Sequence, residues 1–113
     1  MRFGEQVRAL RQERQLTQRE LANRLGVSAS YISKVENENL PFGDFPSESF
    51  IHRLAEELEA DEEVLLLLAN KIPPLIRRRV LEQPNEFRKL AELDRNTLNR
   101  LVSRVMAEQA KQL

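Results

Sequence analysis

The 113-residue chain has no cysteine, no tryptophan, one histidine, one tyrosine and three glycines. Without cysteine there is no disulfide framework, no thiolate zinc site and no cysteine nucleophile. His52 cannot build a metal site alone, so no metal is expected. A glycine-rich phosphate loop, a histidine cluster and a serine elbow are all missing from the sequence. Each is a common starting point for catalysis or cofactor binding, so neither an enzyme nor a cofactor is expected. No apolar run approaches the roughly 18 residues that a membrane span needs. The start, MRFGEQVRALRQERQ, is amphipathic but lacks the apolar stretch and cleavage site of a signal peptide.

What is present is charge, at 32% of residues, with aromatics at only 5%. That mix suits a small helical protein. The length allows one compact domain, or a small domain with an extension. The formal net charge is zero, but it is unevenly spread: residues 1–39 carry +2, residues 40–70 carry −7 and residues 71–113 carry +5. Net acidic charge is confined to the middle, so a basic face is compatible with a neutral whole.

Apolar residues recur every three or four positions, which predicts an all-α fold. Phe3, Val7 and Leu10 mark a first helix to about Arg14. Thr17 and Glu20 form a capping box that opens a second helix, Thr17–Leu25. Gly26 follows, where the chain can turn left-handed without a Cβ clash. Ser28 caps a third helix to Glu36, with Ile32 and Val35 inward and Ala29, Ser30, Tyr31, Ser33 and Lys34 on the other side. A helix pair with a tight glycine turn and a polar outer face is a helix-turn-helix. Residues 37–46, NENLPFGDFP, read as a loop in which Leu40, Phe42 and Phe45 form either a satellite cluster or a partner-facing patch. Ser47 caps a fourth helix carrying Phe50, Ile51, Leu54, Ala55 and Leu58, with His52 off that stripe. Asp61 caps a fifth, with Val64, Leu65, Leu67, Leu68 and Ala69 expected inward.

The stretch Gln18 to Asn37, QRELANRLGVSASYISKVEN, resembles the DNA-binding unit of the lambda- and 434-repressor class, the XRE family. The likeness runs from about Phe3 to about Ala69. It implies a five-helix DNA-binding domain over residues 1–71, in a cytoplasmic protein of bacterial or phage origin. It implies that Ser28, Ala29, Ser30, Ser33 and Lys34 face base edges, and that Gln18, Arg19, Tyr31 and Asn37 lie near phosphates. Arg11 and Glu36 match a partly buried ion pair of the family that orients the recognition helix.

Ile72-Pro73-Pro74 marks a boundary, since paired prolines end one helix and can open another. Residues 72–113 read as a helical extension. A short basic helix Leu75–Gln83 carries Arg77, Arg78 and Arg79. Asn85 is expected to cap a helix over Glu86–Leu93, and Asp94 a last one over Arg95–Lys111. Leu98, Leu101, Val102, Val105 and Met106 stripe that last helix and either make a homodimer or fold back on their own domain. The leading expectation is a dimeric, self-regulating repressor on an inverted-repeat double-stranded DNA operator. The alternative is an antitoxin or partner-controlled repressor that binds a toxin or a metallopeptidase.

Overall fold

The computed structural model describes residues 1–112, which contain eight α-helices and no strand. They are α1 (Phe3–Glu13), α2 (Gln18–Leu25), α3 (Ala29–Glu36), α4 (Glu48–Leu58), α5 (Glu62–Leu68), α6 (Pro74–Glu82), α7 (Pro84–Glu92) and α8 (Arg95–Lys111). The chain divides into two compact units, Met1–Pro73 and Pro74–Leu113.

The first unit is held by side chains that each helix places on one face. Phe3 and Val7 of α1, Leu21 and Leu25 of α2, and Ile32 and Val35 of α3 meet Ile51, Leu54 and Leu58 of α4 and Leu65 of α5, all essentially without solvent contact. Fully burying one such side chain stabilises the fold by about 1.5–3 kcal/mol. Capping fixes where the helices begin. Thr17 Oγ1 accepts from the Glu20 N–H at 3.0 Å, and Glu20 Oε1 accepts from the Thr17 N–H at 3.1 Å. Ser28, Ser47 and Asp61 cap α3, α4 and α5 in the same way, each accepting from the backbone three residues on. Side chains also latch helix ends across the core: Arg14 Nε donates to the Leu58 carbonyl at 2.8 Å, and Arg53 donates to the Leu25 carbonyl.

One local expectation in this unit needs correction. In α5 the inward residues are Leu65, Leu66 and Ala69, while Val64 and Leu67 are 44% and 51% exposed. The run LLLL gives no contrast from which to set the rotation of so short a helix. In the 37–46 loop, Leu40 and Phe45 pack against the core, with the Phe45 ring edge-on to Phe3 at 5.8 Å. Phe42 instead sits on a 3₁₀ turn, Pro41–Gly43, fully exposed and at φ 60°. An aromatic residue rarely takes that left-handed conformation.

In the second unit α7 starts at Pro84, with Gln83 rather than Asn85 at the N-cap and Leu93 just past its end. Proline at the first helical position loses no hydrogen bond, because that N–H has no helical acceptor. Asp94 is the N-cap of α8 but makes no side-chain capping bond. None of the three helices holds a buried residue. On α8, Leu101, Val102, Val105 and Met106 are all exposed.

Candidate nucleic-acid interface

The α2–α3 corner is set by Gly26, at φ 70°, whose left-handed conformation ends α2. The Val27 N–H then returns to the Ala22 carbonyl at 3.0 Å. Ser28 turns the chain into α3 by accepting from the Tyr31 N–H at 3.0 Å. The inner side of α3 is closed by Ile32 and Val35. Ser30 and Lys34 project into solvent, while Ala29 and Ser33 are half-buried. Tyr31 is half-buried, its ring edge-on to Phe50 at 5.2 Å, and burial raises its hydroxyl pKa.

At the foot of α3 stands Glu36, whose side chain is 0% exposed. Arg11 holds both of its oxygens, with Nε 2.6 Å from Oε2 and Nη2 3.0 Å from Oε1. The same guanidinium donates from Nη1 to the Leu16 carbonyl at 2.8 Å. Gln18 Nε2 donates to Oε1 at 3.1 Å, and Arg8 Nε reaches it at 3.4 Å. One carboxylate therefore joins α1, the start of α2 and the end of α3. Burial alone would raise its pKa. Hydrogen bonds from Arg11 and Gln18, the Arg11 charge and the Arg8 contact outweigh burial and hold it below the ordinary carboxylate value.

A second clasp lies two residues on, just past the end of α3. Glu38 accepts from the Gly4 N–H at 3.1 Å and pairs with Arg2. The Gly4 N–H lowers the Glu38 pKa, against the upward push of burial, and Arg2 adds to the lowering. Gly4 is where α1 crosses the end of α3: a Cβ there would lie 2.2 Å from the Glu36 carbonyl oxygen. Sequence reasoning missed Gly4, Arg2, Arg8 and Glu38. A glycine near the start of a helix, with no turn to explain it, was the available signal.

Two residues expected near phosphates are already engaged within the protein. The Gln18 amide points at Glu36. Asn37 Oδ1 accepts from Arg8 Nη2 at 2.7 Å, and its Nδ2 donates to the Ser33 carbonyl at 2.9 Å and to Ser33 Oγ at 3.3 Å. Arg19 is exposed at the start of α2. No helix among the described residues is long and apolar enough to cross a membrane.

Five helices around a capped α2–α3 corner, with α3 locked from within and polar without, define a lambda-repressor-like helix-turn-helix protein. The chain belongs to the helix-turn-helix domain family, whose model matches residues 2–68, and within it to the XRE class. It is 46% identical over 70 residues to the HTH-type transcriptional repressor RghR of Bacillus subtilis (strain 168), an alignment covering 62% of this chain. The chain spans about half the length of that curated relative, 50%. A solved structure of SinR, the master regulator for biofilm formation, in complex with DNA is similar at TM-score 0.50 and 28% identity, covering 57% of this chain and 97% of that one. A complex of the SinR and SinI proteins matches at TM-score 0.54 and 17% identity over 96% of this chain and 98% of that one, a likeness of fold.

Proposed function

We propose that this chain is a sequence-specific DNA-binding repressor that works as a homodimer. The observation that carries the reading is the two-sided α3: its inner face is fixed by Ile32, Val35 and Glu36, and Ser30 and Lys34 stand free on the outer face. The 46% identity to a transcriptional repressor supports the same conclusion. Residues 1–71 bind DNA, with α3 in the major groove. Ser28, Ala29, Ser30, Ser33 and Lys34 face base edges, Lys34 donating to guanine O6 or N7. Arg19, Tyr31, the backbone N–H of Gln18 and the end of α3 around Asn37 lie along the phosphates. The Arg11–Glu36 pair holds α3 at its working angle. Residues 72–113 join two copies through the α8 stripe of Leu98, Leu101, Val102, Val105 and Met106. A two-fold dimer calls for an inverted-repeat operator with half-sites about 34 Å apart, one turn of B-DNA.

Selection from a random pool of duplexes tests this, followed by binding of Lys34→Ala to the selected site and to unrelated DNA. The expected result is a two-fold-symmetric site and a loss of about 1–3 kcal/mol on that site alone. Equal losses on both duplexes would move Lys34 to the phosphates, and a pool with no enriched sequence would overturn the function.

A second reading is favoured by the exposed Leu75 and Leu81 of α6, which lie outside the α8 stripe. In it another protein, of the toxin or metallopeptidase kind, docks on residues 72–113 and controls DNA binding. Co-expression with the product of the adjacent gene, followed by co-purification, tests it.

A further inference from the structure

We infer that Arg8 and Asn37 together fix the hydrogen-bond polarity of Ser33, making its hydroxyl a donor toward DNA and thereby setting the base that this position accepts. The inference rests on the reading that α3 faces base pairs. A serine hydroxyl is ordinarily ambivalent, since it donates one hydrogen and accepts on its lone pairs. Ser33 stands in the second turn of α3 with Asn37 one turn beyond it, so the two side chains share a helix face.

The Asn37 amide can be oriented in two ways, and its neighbours choose between them. Arg8 has only donors, so the atom 2.7 Å from its Nη2 must be the amide oxygen. That places the Asn37 NH₂ against Ser33, where it meets the backbone carbonyl at 2.9 Å, which only accepts, and Oγ at 3.3 Å. Both ends of the amide therefore require the same orientation. Arg8 is in turn held toward this spot by Glu36, which its Nε meets at 3.4 Å. The order runs from the buried carboxylate to guanidinium, to amide, to hydroxyl: Arg8 donates to both Glu36 and Asn37, and Asn37 donates to Ser33. Ser33 Oγ accepts from Asn37, which occupies a lone pair on the protein side and leaves its own hydrogen to point outward.

In the major groove an outward proton selects acceptors: guanine O6 and N7, adenine N7 and thymine O4. It disfavours the cytosine N4 and adenine N6 amino edges. Asn37 and Arg8 are thus positioning residues for Ser33. Asn37→Asp reverses the sense of the last link. A carboxylate keeps the Arg8 contact but has no hydrogen to give, so the Ser33 hydroxyl donates to it and presents a lone pair outward.

The test uses the full-length chain and the duplex it selects from a random pool. Each base pair of that duplex is replaced in turn, and binding is measured for the unaltered chain, Ser33→Ala, Asn37→Asp and the double variant, with melting curves for all four. Ratios between duplexes cancel the general repulsion of the added charge. The unaltered chain should favour an acceptor edge at one position by about fivefold, the worth of one net hydrogen bond. Ser33→Ala should flatten that preference. Asn37→Asp should invert it toward an amino edge, and in the Ser33→Ala background should change nothing at that position. If Asn37→Asp does not fold, Asn37→Leu replaces it; this gives Ser33 neither donor nor acceptor, and should narrow the preference to about twofold. An Asn37 variant that folds and keeps the original preference overturns the inference, as does a Ser33→Ala chain with unchanged preferences. In both cases the repressor reading stands. A chain that selects no sequence at all would remove that reading, and this inference with it.

Discussion

Replacing Gly4 by alanine pits helix propensity against packing, and the two predict opposite signs. In an unobstructed helix, alanine is better than glycine by about 1 kcal/mol. Here the new Cβ would lie 2.2 Å from the Glu36 carbonyl oxygen, 2.7 Å from its carbon and 2.9 Å from the Val35 carbonyl oxygen. All three are backbone atoms at the end of α3, so no side chain can rotate away. To restore ordinary contact, the first turn of α1 must withdraw by over 1 Å. That movement strains the Gly4 N–H bond to Glu38 and the burial of Phe3. Overpacking of this kind costs about 1–3 kcal/mol, and a lost hydrogen bond about 1 kcal/mol more. Set against the propensity gain, a net loss of about 2 kcal/mol is expected. For a unit of this size that is a fall in melting temperature of about 8–16 °C. Thermal unfolding followed by circular dichroism measures it directly. An unchanged or higher melting temperature would show that α1 and α3 do not approach this closely, and the account of the α3 foot would fail.

Arg11→Ala leaves the buried Glu36 with only Gln18 and Arg8, and should destabilise by about 3 kcal/mol in chemical denaturation. The Glu36 and Glu38 pKa values are both lowered in the folded protein, so their stabilisation is complete above the unfolded carboxylate value and is lost as pH falls through the folded values. Stability should therefore decline on acidification below about pH 4.5, and Glu36→Gln should weaken that decline. Phe42→Asn removes a fully exposed ring at φ 60° and supplies a residue that tolerates the left-handed region. Stability should hold or rise by a few tenths of a kcal/mol, and a clear loss would mean that Phe42 has a partner. If α8 holds the dimer, Leu101→Glu with Val105→Glu should yield monomers in sedimentation and weaken operator binding far more than binding to unrelated DNA.

Where local chemistry decides structure, the sequence was a sufficient guide. Thr17 with Glu20, Gly26 and Ser28 specify the α2–α3 corner through caps and a left-handed turn, all of which act within four residues. The amphipathic stripe of α4 likewise fixes its buried face. Reading failed where contrast was missing or the partner was distant in the chain. Four consecutive leucines leave the rotation of α5 undetermined. Pro84 reads equally as the end of one helix or the start of the next. The roles of Gly4, Arg8 and Glu38 come from an α1–α3 crossing about thirty residues apart, which no local pattern encodes. Asn37 was legible as a polar residue at a helix end, but its attachment to Arg8 and Ser33 was not.

The inward lock on α3 divides that helix between two kinds of selection. Ile32, Val35 and Glu36 answer to folding, while Ser30 and Lys34 make no contact that folding needs. If α3 reads bases as proposed, a paralogue can acquire a new operator by changing Ser30 or Lys34 with little loss of stability, leaving the scaffold untouched. Ser33 is the exception on the outer face, because Asn37 ties it to the groups beneath. Positions 33 and 37 should therefore change together, and an engineer who retargets α3 must exchange them as a pair.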